Sequence, residues 1–169
     1  MKKEITFLPI GEVRTPFKEG DCPFQPPENG EGEAEIIIYP EFQDGLFELN
    51  SFKYIYVLFY CHRCRPYKLR VKPPWLAGKE VGVFASRSPN RPNSIGLSIV
   101  RLKRIENGKI ITSLIDAYDK SPVLDIKPYF KSLDCKQDAN IGWLEGNEQG
   151  WKHLQKHLQG IPVDESSDT

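Results

Sequence analysis

Apolar residues gather in short runs along this chain, each bounded by Pro, Gly, Asn or Asp, and no helical period is sustained before residue 146. That pattern predicts strands. The runs fall at 5–13, 33–39, 52–61, 80–85, 94–105, 109–118 and 123–129. Gly11 inside the first marks a bulge or a close approach of another backbone. The run at 52–61 is continuous rather than alternating, which predicts burial on both faces. Asn107-Gly108 is the strongest hairpin signal, because both residues tolerate positive φ, so 95–105 and 109–118 are expected to pair antiparallel. Pro128 ends the last strand. A short helix is expected over 40–46, opened by Pro40 and the early acid Glu41. One longer helix is expected over 146–160, where Trp151, Leu154 and Leu158 share a face and Gly160 is the stop. The expected fold class is therefore mainly β, a small closed or nearly closed β-barrel with a short C-terminal helix. Its domain would span 1–145, followed by the helix and a mobile acidic tail over 146–169.

Charge changes the picture little at first. Lys and Arg number 23 and Asp and Glu number 23, so a pervasive basic coat for nucleic acid is absent and any such contact needs a local patch. The best local stretch is 65–74, where Arg65, Lys68, Arg70 and Lys72 are interleaved with Tyr67 and followed by Trp75. It is either a phosphate-tracking patch or a solvated loop. No apolar run approaches the roughly 20 residues of a membrane span. The apolar core at residues 5–9 is too short for a signal peptide, so a cytoplasmic location is expected.

Four cysteines, Cys22, Cys61, Cys64 and Cys135, include a CxxC at 61–64. No second CxxC or paired His follows to complete a zinc site, so reduced thiols and no metal are expected. His153 and His157 stand four apart without the acid of an HExxH arrangement and read as a polar helix face. The glycines form neither GxGxxG nor a P-loop, which leaves a Rossmann-type cofactor site unsupported.

The most informative stretch joins two apolar runs through Ser86-Arg87-Ser88-Pro89-Asn90-Arg91-Pro92-Asn93-Ser94. Two prolines stiffen it, and it carries Arg87 and Arg91, whose guanidinium groups offer fixed forks of donors. It is an anion clamp or a stiff strand connection. The long Gly- and Pro-rich stretch at 18–32, with Pro23-Phe24-Gln25-Pro26-Pro27 inside, is a loop that is either functional or disordered.

Together with Ile95-Gly96-Leu97-Ser98, that stretch resembles the signature of the TsaA-like (TrmO-type) tRNA methyltransferases. Ser121-Pro122-Val123-Leu124-Asp125-Ile126-Lys127-Pro128-Tyr129 resembles the family's second signature, and Gly11-Glu12-Val13-Arg14-Thr15-Pro16-Phe17 its N-terminal segment. The resemblance covers about residues 5–145. It implies a β-barrel that binds S-adenosylmethionine, acts as a homodimer with the cofactor near the subunit interface, and methylates N6 of threonylcarbamoyladenosine next to the anticodon of tRNA. The alternative is a non-catalytic module that binds S-adenosylmethionine or a nucleotide. By matching position, the cofactor contacts would be Pro23, Phe24, Gln25, His62, Arg63, Arg87, Leu97, Ser113, Leu114, Ile115 and Asp116. The substrate side would hold Arg91, Asn93, Lys68 and Arg70. The catalytic candidates are Asp125 as base, Lys127 as electrostatic partner and Tyr129 as an orienting hydroxyl. The bland reading of Asp125 and Lys127 is a surface ion pair worth about 0–1 kcal/mol. Two departures stand out: Ser94 replaces a common Pro, and Asp119-Lys120-Ser121-Pro122 replaces a common Asp-Gly-Thr-Pro.

Overall fold

The computed structural model describes residues 4–18, 20–26 and 32–158. The expectations for Pro27, the His157 side chain, the Gly160 stop and the acidic tail lie outside the described residues.

Eight strands form among the described residues: β1 (Gly11–Arg14), β2 (Ala34–Ile38), β3 (Tyr54–Tyr60), β4 (Arg70–Val71), β5 (Val81–Gly82), β6 (Ile95–Glu106), β7 (Lys109–Thr112) and β8 (Pro122–Pro128). Six of them hydrogen-bond in the order β1-β2-β7-β6-β3-β8, and β1 also pairs with β8, so the order closes on itself. Every pairing is antiparallel. Inward positions alternate along the strands and bring Val13, Ile36, Ile38, Ile55, Val57, Val100, Ile110 and Val123 into one core. β4 and β5 make a separate two-stranded piece. Helix α1 (Lys131–Asp134) and helix α2 (Glu148–Leu158) follow, and α2 packs against the 3-10 turn Pro74–Leu76.

The hairpin at Asn107-Gly108 forms as expected, with φ of 50° and 72° at the two residues. Residues Pro40–Leu46 form a 3-10 helix. Four expectations need correction. The run at 5–13 starts its strand only at Gly11, because Ile5 and Leu8 are exposed and Pro9 has no N–H to give a ladder. β3 is not buried on both faces: Ile55, Val57 and Phe59 turn inward, while Tyr54 and Tyr60 are exposed. β7 stops at Thr112 rather than Tyr118, and the run at 80–85 keeps only two strand residues before the 3-10 turn Val83–Ala85. In both places the chain leaves the sheet to build loops at the same end of the ring.

Gly11 explains how a four-residue strand serves two neighbours. It pairs with Ile38 on one side and Val123 on the other. A Cβ there would collide with the backbone carbonyl of Ile37. Gly11→Ala must therefore push β1 off β2 at the point of closure. The expected loss is about 1–3 kcal/mol, read as a lower thermal midpoint. An unchanged midpoint would show that the closure point is slack.

Candidate functional site: a cationic cleft at one end of the strand ring

Antiparallel pairing puts the end of β3 beside the starts of β6 and β8, and the chain leaving β7 at Thr112 runs on beside β6, from Arg101 to Ser98. The loops leaving that end surround a cleft of about 640 Å³. Its walls come from residues 22–25, 61, 63–65, 71–75, 86–91, 95–97 and 116–118, with Ser121. Among the described residues, five cations line it, Arg63, Arg65, Lys72, Arg87 and Arg91, against one acid, Asp116. In a chain of zero net charge this is a concentrated positive site. Phe24, Trp75 and Leu97 supply apolar wall.

Side-chain-to-backbone bonds hold the arginine loop. Asn90 Oδ1 accepts from the Arg65 backbone N–H at 2.8 Å, and Arg91 Nη1 donates to the Ser86 carbonyl at 3.3 Å. Ser94 closes the loop with φ of 44°, its N–H and its hydroxyl both donating to the Arg91 carbonyl (3.1 and 3.0 Å). A proline, fixed near −65°, cannot take that conformation. The Ser94 departure therefore has a local backbone consequence. Arg87 Nη1 donates to Gln25 Oε1 at 3.3 Å, which ties the arginine loop to the 22–25 loop across the cleft.

Asp116 lies at the floor. Desolvation pushes its carboxyl up to about 6, opposed by the Ser98 hydroxyl and by the charge of Arg87. Ser98 Oγ donates to Asp116 Oδ1. Ser98 was not among the residues singled out from the sequence. The available signal was a polar residue at an inward position of β6, in step with Val100 and Leu102. His62 stands behind the cleft. Arg63 Nε donates to its Nε2 at 3.3 Å, which leaves Nδ1 to carry the proton toward Ser121 Oγ at 3.2 Å. Burial lowers its pKa, aided by Arg63 and opposed by Asp119. The Arg63 guanidinium also donates to the Lys18 carbonyl and lies over the Tyr118 ring at 5.6 Å. Burial pushes the Cys22 and Cys61 thiols up to about 12, so both stay protonated at neutral pH.

The structure brings Pro23, Phe24, Gln25, Arg63, Arg87, Arg91, Leu97 and Asp116 to this cleft. It leaves the others elsewhere. Ser113 is buried and its Oγ accepts from the Arg101 N–H, Ile115 is core, and Leu114 packs near Gly32. Asn93, Lys68 and Arg70 do not line the cleft, whereas their neighbours Arg65 and Lys72 do. Asp125 and Lys127 form an ion pair of 2.8 Å on the outer face of β8. Tyr129 packs beside them against Tyr56 (5.6 Å) and Tyr54 (6.5 Å). That outer face is continuous with β6, where Leu97 and Ile99 are 53% and 44% exposed, and Leu97 reaches the cleft mouth.

A closed ring of antiparallel strands with a cationic, aromatic-walled cleft at one end defines a small β-class ligand-binding domain. This chain belongs to the tRNA-methyltransferase O N-terminal domain family, whose model matches residues 12–135. An S-adenosyl-L-methionine-binding protein of Archaeoglobus fulgidus is 40% identical over 141 residues, covering 83% of this chain and 96% of that protein. A mouse tRNA (adenine(37)-N6)-methyltransferase is 41% identical over 101 residues, 59% of this chain but 23% of its own length. The crystal structure of TrmO from Pseudomonas aeruginosa matches with a TM-score of 0.70 and 35% identity, over 83% of this chain and 62% of that one. The chain thus spans less than two thirds of these two longer proteins.

The raised pKa of Asp116 fixes a sign. Its folded value lies above the ordinary 3.8. The stability it contributes is therefore complete below about pH 4 and is lost as pH rises through about 6. Asp116→Asn should raise the thermal midpoint at pH 7.5 while weakening binding of a cationic ligand group. Ser98→Ala should move the pH midpoint of ligand binding upward, and Ser98→Thr should restore it. An unmoved midpoint in Ser98→Ala would leave Asp116 without a working hydroxyl partner.

Proposed function

We propose that this chain is an S-adenosylmethionine-dependent methyltransferase acting on N6 of an adenosine in tRNA, the residue next to the anticodon. The carrying observation is the pairing, in one aromatic-walled cleft, of Arg87 with the buried carboxylate Asp116. An amino-acid end group presents one carboxylate and one ammonium, and these two side chains answer both. Phe24 and Leu97 offer the flat apolar contact that a purine needs. The residues therefore fit the cofactor. The six-stranded ring acts as a small β-barrel whose open end is the site. When bound, S-adenosylmethionine supplies the electrophilic methyl group.

The rest falls to the protein. The acceptor amine must lie in line with the methyl group, and its proton must leave as the N–C bond forms. Arg63, Arg65, Lys72 and Arg91 at the rim suit an RNA backbone and the extra carboxylate of a threonylcarbamoyl group. Threonylcarbamoyladenosine is accordingly the proposed acceptor. Asp125, Lys127 and Tyr129 lie outside the cleft of their own copy. A homodimer through the outer face of β3, β6 and β8 would carry them toward the partner's cleft mouth, because Leu97 belongs to both surfaces. In that dimer Asp125 is the proposed base, Lys127 the anion partner and Tyr129 the orienting hydroxyl. The cytoplasm, where tRNA is modified, is the proposed location.

A second reading, a binding module without catalysis, is favoured by one observation: among the described residues, Asp116 is the lone carboxylate lining the cleft in a single copy. Purified protein, tritiated S-adenosylmethionine and tRNA with or without the threonylcarbamoyl group divide the two. Label should pass only to the modified tRNA; cofactor binding without transfer would select the module. Ile99→Arg should give monomers by light scattering and lose transfer while keeping cofactor affinity. Dimers that persist would remove this face from the proposal. Arg65→Glu with Lys72→Glu should weaken tRNA binding and flatten its salt dependence. An equal effect from Lys68→Glu with Arg70→Glu would extend the patch beyond the cleft rim.

A further inference from the structure

Two thiols stand where the chain leaves β3 for the cleft. Cys61 follows the last residue of β3, and Cys64 closes the turn after it. The Cys64 N–H donates to the Cys61 carbonyl at 3.3 Å, which makes 61–64 a β-turn. A β-turn holds its outer Cα atoms within about 7 Å, the reach over which a disulfide can form. The Cys64 sulfur lies 2.7 Å from the Cys61 carbonyl oxygen, so it is folded back over the residue it would join. Both are half-buried free thiols on the cleft wall.

Cys64 also holds the arginine loop. Its single S–H proton is shared between the Cys61 carbonyl and the Ser94 hydroxyl oxygen, the latter at 3.0 Å. Ser94 Oγ gives its own proton to the Arg91 carbonyl at 3.0 Å. A chain of hydrogen bonds therefore runs from the thiol through Ser94 to the backbone of Arg91. Two further ties join the same segments: the Cys61 N–H donates to the Ser94 carbonyl at 2.9 Å, and the Arg65 N–H to Asn90 Oδ1 at 2.8 Å. Those two use backbone donors. The thiol tie is the one that oxidation of a side chain removes.

We propose that Cys61 and Cys64 form a thiol-modification site, oxidised to an intramolecular disulfide by exchange with an anionic low-molecular-weight disulfide, and that this oxidation frees the arginine loop at Ser94. Cys64 is the entry thiol, because Cys61 packs against the core. Cys64 Sγ attacks one sulfur of the small disulfide. The S–S bond breaks, a mixed disulfide forms on Cys64, and one small thiol leaves with the Cys64 proton. Cys61 Sγ then attacks Cys64 Sγ and expels the second small thiol, which takes the Cys61 proton. Two electrons pass from the pair to the reagent, and no other reactant is required. The cationic cleft draws in a reagent that carries carboxylates. Burial that denies Cys61 a stable thiolate also withholds the stabilisation by which a reduced pair resists oxidation. In a reducing compartment such a bond is transient, which suits sensing rather than structure. Once it forms, Cys64 has no proton for Ser94, and the loop keeps only its two backbone ties to this turn. Under the proposed function, on which this last consequence alone rests, Arg87 is then held less firmly toward the cofactor carboxylate.

The test uses the full chain in buffers of reduced and of oxidised glutathione, a disulfide of that class. Peptide mapping of the oxidised protein should find Cys61 joined to Cys64, and dithiothreitol should reverse the bond. Hydrogen exchange at the amides of residues 90–94 should be faster in the oxidised form. S-adenosylmethionine should bind that form severalfold more weakly by calorimetry. Cys64→Ser, whose hydroxyl keeps a donor for Ser94 and cannot be oxidised, should abolish the difference between the two buffers. Cys22→Ser should retain it. A bond mapped from Cys22 to Cys61, no bond at all, or a Cys61–Cys64 bond with unchanged exchange at 90–94 would each overturn the inference and leave the proposed function standing. The mapped bond and faster exchange, with no S-adenosylmethionine binding in either buffer, would overturn the proposed function and uphold the modification site.

Discussion

Closure of the strand ring at β1 is the constraint on which the rest depends. A four-residue strand must pair with β2 and β8 at once, and it does so where Gly11 lets the Ile37 carbonyl approach. Once the ring is closed, antiparallel order decides that the end of β3 meets the starts of β6 and β8 and that the chain after β7 runs back along β6 toward them. The loops after those ends have nowhere else to gather. The cleft is thus a consequence of topology, and its chemistry is what the loop sequences add.

What they add is an imbalance of charge around one costly carboxylate. Asp116 loses hydration at the cleft floor, and Ser98 and Arg87 return part of that loss. The Ser98 hydroxyl is itself buried and comes from β6, while Arg87 comes from the loop before it and is tied to Gln25 from a third segment. Three distant stretches must therefore be in place together before the carboxylate is tolerable. Such arrangements are unfavourable for stability and useful for ligands, which is the ordinary relation between a site and its scaffold.

The strand content, the hairpin at Asn107-Gly108 and the C-terminal helix could be read from the chain, because periodicity and turn chemistry are local. The arginine loop was legible for the same reason: its prolines and arginines are adjacent. The outer face of β3 was misread, since tyrosines and leucines on an exposed face look like a doubly buried strand when nothing in one chain says what covers them. Ser113 and Ile115 were carried to the cleft with Asp116 by matching position, yet alternate residues of an extended segment point apart, and only Asp116 reaches it. Trp75 reads in sequence only as the end of the basic stretch, whereas its contacts, Phe24 and Gly150, lie far from it along the chain. Long-range contacts of that kind leave no spacing signal.

Strand β6 joins these surfaces. Its inward side carries Ser98 beneath Asp116, followed by Val100 and Leu102 in the core. Its outward side carries Leu97 at the cleft mouth and Ile99 on the exposed face. A slip of one residue against β3 would bury Leu97 and Ile99, and expose Ser98 to the wrong side. Register must therefore be fixed more firmly here than hydrophobicity alone can achieve, since both faces of the strand are apolar in part. Gly96 supplies the fixing point: it pairs with Phe59, and the Phe59 ring occupies the space a Cβ would need. No neighbouring position of β6 within the pairing could accept that ring. The large-to-none complementarity at Phe59 and Gly96 holds the serine under the carboxylate and the leucine at the mouth, so one packing contact sets both the electrostatics of the floor and the surface around the entrance.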